Sequence, residues 1–501
     1  MKLGCYLLLI SLGLGLGHCP AAAQTTPAAK EAKTFYDRGM DLFNKNNNEE
    51  AIAEFSRAIN LDPKNPSYYY RRAWAKERLF NLSGALADYS RAIDLDPNYA
   101  VAYNNRGMVK KKQGDSKGAL ADFNRAIELK ATPQNRSIFL TNRAELKNKL
   151  EDLDGALADI NQAIEANPDY AVAYTVRGYL KLKKDDVSGA LADHTRAMEI
   201  NPKLSGPYNN RGLIKMRNND FNGALSDFHR AIELEPRSAT AYFNRGRIKE
   251  KLSDPEGALL DYSRAIEYDP YFTNAFNFRG YLKEKQGDLA GAVKDYSQAV
   301  ALDPRGAWSA YHNRGVIRFK NKELVEALKD FNQAVSINPK NSGSFRNRGE
   351  VKMELGDLSG ALADFNRAIE LSPKNFKAFT ARGELKEKQG DLEGALADFN
   401  QAIDLDPKYA QAYVERAEIR IARADYSGAM ADLTRALELE PGLQEAGDRI
   451  KELRDLLDKE AKLKKDKMKK PPVTVKRPPK TRSVKLETVV PEDRSLVFGP
   501  K

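Results

Sequence analysis

The chain has 501 residues, 42% hydrophobic and 30% charged, a mixture that fits neither a disordered nor a membrane-embedded protein. Its net charge is +11, but residues 459–501 hold fourteen Lys and Arg against five Asp and Glu, and Lys2 adds one more cation. That leaves about +1 for everything else, which excludes bulk attraction to nucleic acid by the body of the chain.

The first element is MKLGCYLLLISLGLGLGHCPAAAQ: one Lys, an apolar run from Leu7 to Leu16, then Ala21, Ala22 and Ala23. This order predicts a secretory signal peptide over 1–23, cut before Gln24, and hence an exported protein, periplasmic or secreted. The alternatives are an uncleaved N-terminal anchor and lipidation at Cys19. Cys5 and Cys19 are the only cysteines, so a chain cut there has no thiol left and depends on packing for its stability. A short linker, 24–31, follows.

From Ala32 a frame of 34 residues recurs twelve times and ends at Leu443, with Gln134, Asn135, Arg136 and Ala307 left over. The phrase GALADFNRAIEL, at 118–129 and again at 360–371, shows the period directly. Within the frame, position 8 is Gly or Ala, and positions 20 and 27 are Ala throughout. Position 4 is aromatic in eleven frames and position 32 is Pro in eleven. Positions 3, 4, 7, 8, 10 and 11 keep helical spacing, as do 20, 24 and 27, so each frame predicts two helices. The small residues notch both helices and let their backbones approach closely. Asp and Gly in stretches such as GDLSG supply the turn, and Pro ends the second helix. One such pair cannot bury its apolar face alone, so the pairs must stack.

Small residues at 8, 20 and 27 of a 34-residue frame resemble the tetratricopeptide repeat, and the resemblance covers 32–443. It implies an all-α fold: a right-handed superhelical solenoid of about twelve helix–turn–helix repeats, whose inner groove binds proteins or peptides. The next stretch, 444–467, carries Ile450, Leu453 and Leu457 on one face and Glu452, Arg454, Asp455 and Asp458 on the other, as a C-terminal capping helix should. Residues 468–501 are Lys- and Pro-rich and cannot pack a core, so they are expected to be a disordered tail.

Three features depart from the usual repeat or add to it. Position 7 is Arg in all twelve frames, position 11 is Lys or Arg in eleven, and position 23 is acidic in all twelve. Positions 7 and 11 share one helix face. An ion-pair ladder from first to second helix is inferred, with Arg106 and Asp122, Arg211 and Asp227, and Arg348 and Asp364 as representative rungs. The other reading of these cations is a polybasic groove; the equal faithfulness of the acid and the neutral body favour the ladder. Position 13 is Lys or Arg in nine frames, either a cationic groove edge or solvated helix ends. Position 6 is Asn in six frames: Asn105, Asn142, Asn210, Asn244, Asn313 and Asn347. The repeats resemble those of the O-linked N-acetylglucosamine transferase, without its catalytic domain. There, asparagines at the matching position grip an extended peptide backbone, which an amide can do because it donates and accepts at once. The same six residues are therefore candidate peptide contacts, although the run breaks at Arg71, Val176, Phe278, Ala381 and Glu415; the alternative is a habitual helix sequence. The two-carboxylate clamp of the family needs Lys at position 5, which no frame has.

Enzyme chemistry finds no foothold. His194, His229 and His312 stand at positions 24, 25 and 5 of different frames, without metal-ligand spacing. G-x-x-x-x-G-K-[ST] does not occur, and the single G-x-S-x-G, at 114–118, falls on the turn of a repeat. The expected function is a non-enzymatic scaffold for a protein or extended peptide, with no cofactor, metal, nucleic acid or small-molecule substrate. Two alternatives stand beside it: a cell-envelope organiser whose basic tail docks on anionic lipid or polymer, and an assembly subunit of a larger enzyme or secretion complex.

Overall fold

The computed structural model describes residues 26–466, with side chains through 459. The expected signal peptide with Cys5 and Cys19, the first residues of the linker and the tail at 468–501 lie outside the described residues. Those described form 25 α-helices and no strand. They fall into two units, one up to Asp261 and one from Tyr262, and each is described by itself. Through the twelfth frame the helices alternate between the first of a hairpin (A) and the second (B).

The third frame, α5 (Ala100–Gln113) and α6 (Ser116–Glu128), shows why the chain turns where it does. Gly114 closes α5 at φ +87°, a left-handed conformation natural to glycine. Its N–H and that of Asp115 turn back to the carbonyls of Lys111 and Lys110, which satisfies the open end of the helix. Asp115 then caps α6: its Oδ1 accepts from the N–H of Gly118 at 2.8 Å. The same Asp–Gly cap recurs at Asp152 with Gly155 and at Asp357 with Gly360. A Cβ on Gly118 would lie 2.1 Å from Asp115 Oδ2, so cap and glycine belong together.

Two helices differ in length from the frame. α1 (Pro27–Asn44) starts five residues before Ala32, inside the expected linker, because Thr26 accepts from the N–H of Ala29 and Pro27 occupies the first helical position. α7 (Pro133–Lys149) absorbs Gln134, Asn135 and Arg136 as an added N-terminal turn, again behind a threonine cap (Thr132) and a proline. The other extra residue, Ala307, becomes the N-cap of α17 (Trp308–Lys320).

Within each hairpin the notch works by near-collision. A Cβ on Gly107 would approach Phe123 Cε1 to 2.9 Å, and Ala119, Phe123 and Ala126 are wholly buried. Most position-4 aromatics are only half-buried, Tyr69 and Phe276 being buried, and they lie beneath the arginine three residues on; Arg106 Cζ is 5.4 Å from the Tyr103 ring centroid. In the first unit the A helices of frames three to seven meet their neighbours in order, and in the second those of frames eight to twelve do the same. No contact of similar weight joins successive B helices, so in each unit the A helices line the inner side. α25 (Gln444–Asp466) closes the second unit, burying Ala446, Ile450 and Leu453 against the last hairpin.

Candidate functional site

The most regular chemistry of the chain lies between the A and B helices. Asp122 is buried, and Arg106 forks onto it, Nε to Oδ2 at 2.9 Å and Nη2 to Oδ1 at 2.7 Å. Lys110 Nζ adds a second cation 2.8 Å from Oδ2. The arrangement repeats: Arg211 and Lys215 stand 2.7 and 2.9 Å from Asp227, and Arg348 and Lys352 stand 2.6 and 2.8 Å from Asp364. Hydrogen bonding to Asp122 and Asp227 holds the guanidinium groups of Arg106 and Arg211 above their ordinary range. The first frame is the loose rung. Glu54 replaces Asp and Leu42 replaces Lys, and Arg38 reaches only to 3.8 Å, more than half exposed.

The arginines also tie each repeat to the one before. Arg106 Nη1 donates to Ser90 Oγ of the preceding B helix at 3.2 Å, Arg143 Nη1 to Asn124 at 2.8 Å, and Arg177 Nη1 to Asn161 at 3.1 Å. Arg211 and Arg245 keep only the fork; Thr195 and His229 occupy position 25 of the preceding repeats and accept nothing from them. These cations are engaged with the protein itself, and the residues of position 23 with them.

The six asparagines at position 6 sit on the A helices, and five are buried. Asn105, the half-buried one, donates to Tyr70 Oη at 3.0 Å and accepts from Asn104. Asn142 donates to Asn104 Oδ1 at 2.9 Å, and Asn244 to Asn209 Oδ1 at 3.0 Å. Asn347 accepts from Arg346 and approaches His312 Nε2 at 3.4 Å. Asn313 is wholly buried near the Tyr296 hydroxyl. Asn210 is wholly buried with neither amide atom bonded. Their bonds run mainly to the A helix of the previous repeat rather than outward.

What lines the inner side differs between the units. In the first, position 9 holds Met40, Trp74, Met108, Glu145, Tyr179 and Arg247, each half-buried, and Leu213, which is buried. In the second, the same position holds Tyr281, Val316, Glu350, Glu384 and Glu418, each buried. Arg449 of α25 forks onto Glu418 at 2.7 and 2.8 Å. Sequence reasoning passed over Trp74 and treated Arg71 as a mere break in the asparagine run. The available signal was the 34-residue spacing of Met40, Trp74 and Met108.

The histidines do not converge. His194 fills the core place of Phe123 and its equivalents, and both ring nitrogens lack partners. Burial pushes its pKa down to about 4, Asp193 opposing and Arg211 adding to the effect. His312 Nδ1 lies 2.7 Å from Ser344 Oγ. Among the described residues no three His, Cys, Asp or Glu gather as a metal site.

Notched helical hairpins that stack in order, each locked by its own ion pairs, define the class of helical-repeat proteins with an inner binding face. Family models described as TPR repeat match residues 39–79 and 81–114. Those described as tetratricopeptide repeat match 100–133, 139–170, 209–271, 273–305, 308–341, 346–410 and 380–443. The chain belongs to the tetratricopeptide-repeat family. No curated protein matches it significantly. Among solved structures it is similar to the APC/C hetero-tetramer Cut9–Hcn1, at 14% identity, 84% of this chain, 96% of that one and a TM-score of 0.46. It is similar to yeast Tom70 at 17% identity, 86% and 96% coverage and a TM-score of 0.35. A tetratricopeptide repeat protein from Parabacteroides merdae gives 19%, 49%, 96% and 0.39. At such scores none of these likenesses bears on function or partner.

Proposed function

We propose that the chain is a non-enzymatic scaffold that takes a segment of a partner protein on the inner side of its A helices. One observation carries this. The side chains that recur in every frame are tied up in packing and ion pairing, whereas those that differ from frame to frame lie on the inner side, where several stay half-exposed. A surface whose chemistry changes along a regular stack suits recognition of an extended or helical segment. Asn105, alone half-buried among the six asparagines, is the best placed of them for a backbone contact; the other five more readily hold the A helices in register.

A photo-crosslinking amino acid placed singly at positions 74, 108 and 145, and at exposed B-helix position 125, tests this in the native host. A partner crosslinked from the three inner sites and not from 125 supports the proposal. Equal capture from 125, or capture from there alone, overturns it.

The charge of the tail supports a second reading, in which export brings the protein to a cell envelope and the net +9 of 459–501 docks it on anionic lipid or polymer. Clustered cations near such a surface contribute roughly 1 kcal/mol each. Salt-sensitive envelope binding that disappears on deleting 459–501 is expected; binding that survives the deletion removes this reading.

A further inference from the structure

Arg71 differs from the ladder arginines around it. It stands at position 6 of the second frame, on the inner side, half-buried. Its Cζ lies 5.6 Å from the Tyr70 ring centroid and 5.2 Å from that of Trp74. It makes no hydrogen bond and no ion pair among the described residues, whereas Arg72 beside it forks onto Asp88 at 2.8 Å. The acids nearby are engaged: Asp37, at the same position one repeat earlier, with Lys33 at 2.6 Å, and Glu77 with Lys112 and the Tyr89 hydroxyl. A guanidinium beside two rings, with none of its N–H groups donated to the protein, matches a carboxylate in two parallel hydrogen bonds. Half-burial makes such a pair stronger than one in open solvent.

The surroundings supply the apolar half of a site. Trp74 is half-buried, its ring 5.0 Å from Phe43. Met40 and Met108 stand at the same frame position one repeat to either side, also half-buried. Trp and Arg are the commonest anchors of binding energy, and Met adapts to the shape of what docks on it. The unused cation sets the charge of the occupant and disfavours the chain's own Lys-rich tail. A neighbouring Trp and Arg also suit a nucleobase with its phosphate, but the body of the chain, at about +1, lacks the cationic track a polynucleotide needs.

We infer that the inner face of the first three repeats binds a partner segment in which an acidic side chain sits next to an aromatic one, the carboxylate on Arg71 and the ring against Trp74, Met40 and Met108. This rests on the scaffold reading and names the chemistry of its partner.

The test uses the full chain and acrylamide quenching, which reads Trp74 because the other tryptophan, Trp308, is buried. The probes are acetylated, amidated ten-residue peptides of Gly, Ser and Thr with Glu-Phe, Gln-Phe, Glu-Ala or Lys-Phe at the centre, and a ten-nucleotide deoxythymidine strand. Glu-Phe shields Trp74 and binds at least about tenfold tighter than each of the others. Arg71→Gln abolishes the preference for Glu over Gln, and Arg71→Lys keeps part of it. Equal binding of Glu-Phe and Gln-Phe, a preference that persists in Arg71→Gln, or tighter binding of the oligonucleotide overturns the inference. If the Gln variant fails to fold, as a shifted thermal midpoint reveals, Arg71→Lys decides alone: an undiminished preference overturns it and a reduced one supports it. A peptide array of mixed composition separates the two levels. Peptides bound equally by wild type and the Arg71 variants leave the scaffold reading standing and remove this one; an array that binds nothing removes both.

Discussion

His194 occupies a place where most frames put an aromatic ring, and it brings two polar atoms with no partner. Its folded pKa of about 4 lies below the ordinary 6.5, so the fold favours the neutral ring. Its contribution is intact above about pH 6.5 and falls as pH drops toward 4, by about 3 kcal/mol across that window. His194→Phe should remove this pH dependence and raise stability at neutral pH by about 1–3 kcal/mol, read by denaturant unfolding at pH 7 and pH 4.5. A slope between those pH values equal to that of wild type would assign the effect elsewhere. Asp227 works in the opposite sense. Asp227→Ala leaves Arg211 and Lys215 about a quarter exposed without their shared anion and should cost about 3–5 kcal/mol, whereas a loss near zero would mean that the rung is solvated. The pairing of positions 7 and 23 could be read from the chain because both recur at fixed spacing. The partners of the asparagines could not. Asn142 meets Asn104 thirty-eight residues away and Asn244 meets Asn209 thirty-five away, and such adjacency depends on how A helices stack. Arg71 was illegible for a related reason: its freedom lies in what its neighbours already hold.

At the scale of the helix, the turn after every A helix uses a left-handed residue. Four are glycine, Gly114, Gly287, Gly356 and Gly390, and eight are not, including Lys322 at φ +63°. A side chain there costs roughly 1 kcal/mol or more per residue, partly offset by the greater freedom of glycine in the unfolded chain. Lys322 is exposed, so Lys322→Gly should stabilise by about 0.5–1 kcal/mol in thermal unfolding. Destabilisation instead would show that the lysine holds a contact that matters more than the strain. Helix existence and order were legible because periodicity, caps and turn residues agree. Two boundaries were not, since Thr26 with Pro27 and Thr132 with Pro133 start their helices ahead of the frame. Those capping pairs outrank the hydrophobic period locally.

At the scale of the molecule, a repeat array draws its stability from each hairpin and from the seam to the next. Twelve copies of one pattern made the hairpins legible, while the seams depend on small choices at single positions. Thr195→Asn should restore the missing bond to Arg211 and add about 1 kcal/mol, seen as slower amide exchange in the sixth frame. Unchanged exchange there would mean that packing and the Arg217–Asp185 ion pair already close the seam.

The arginines that reach back to Ser90, Asn124 and Asn161, and the two that do not, also set an order of failure. Under tension applied to its ends, the first unit should part at the joints after the fifth and sixth hairpins while the sewn hairpins before them stay docked. A strand of identical links would break at random; this one carries a perforation.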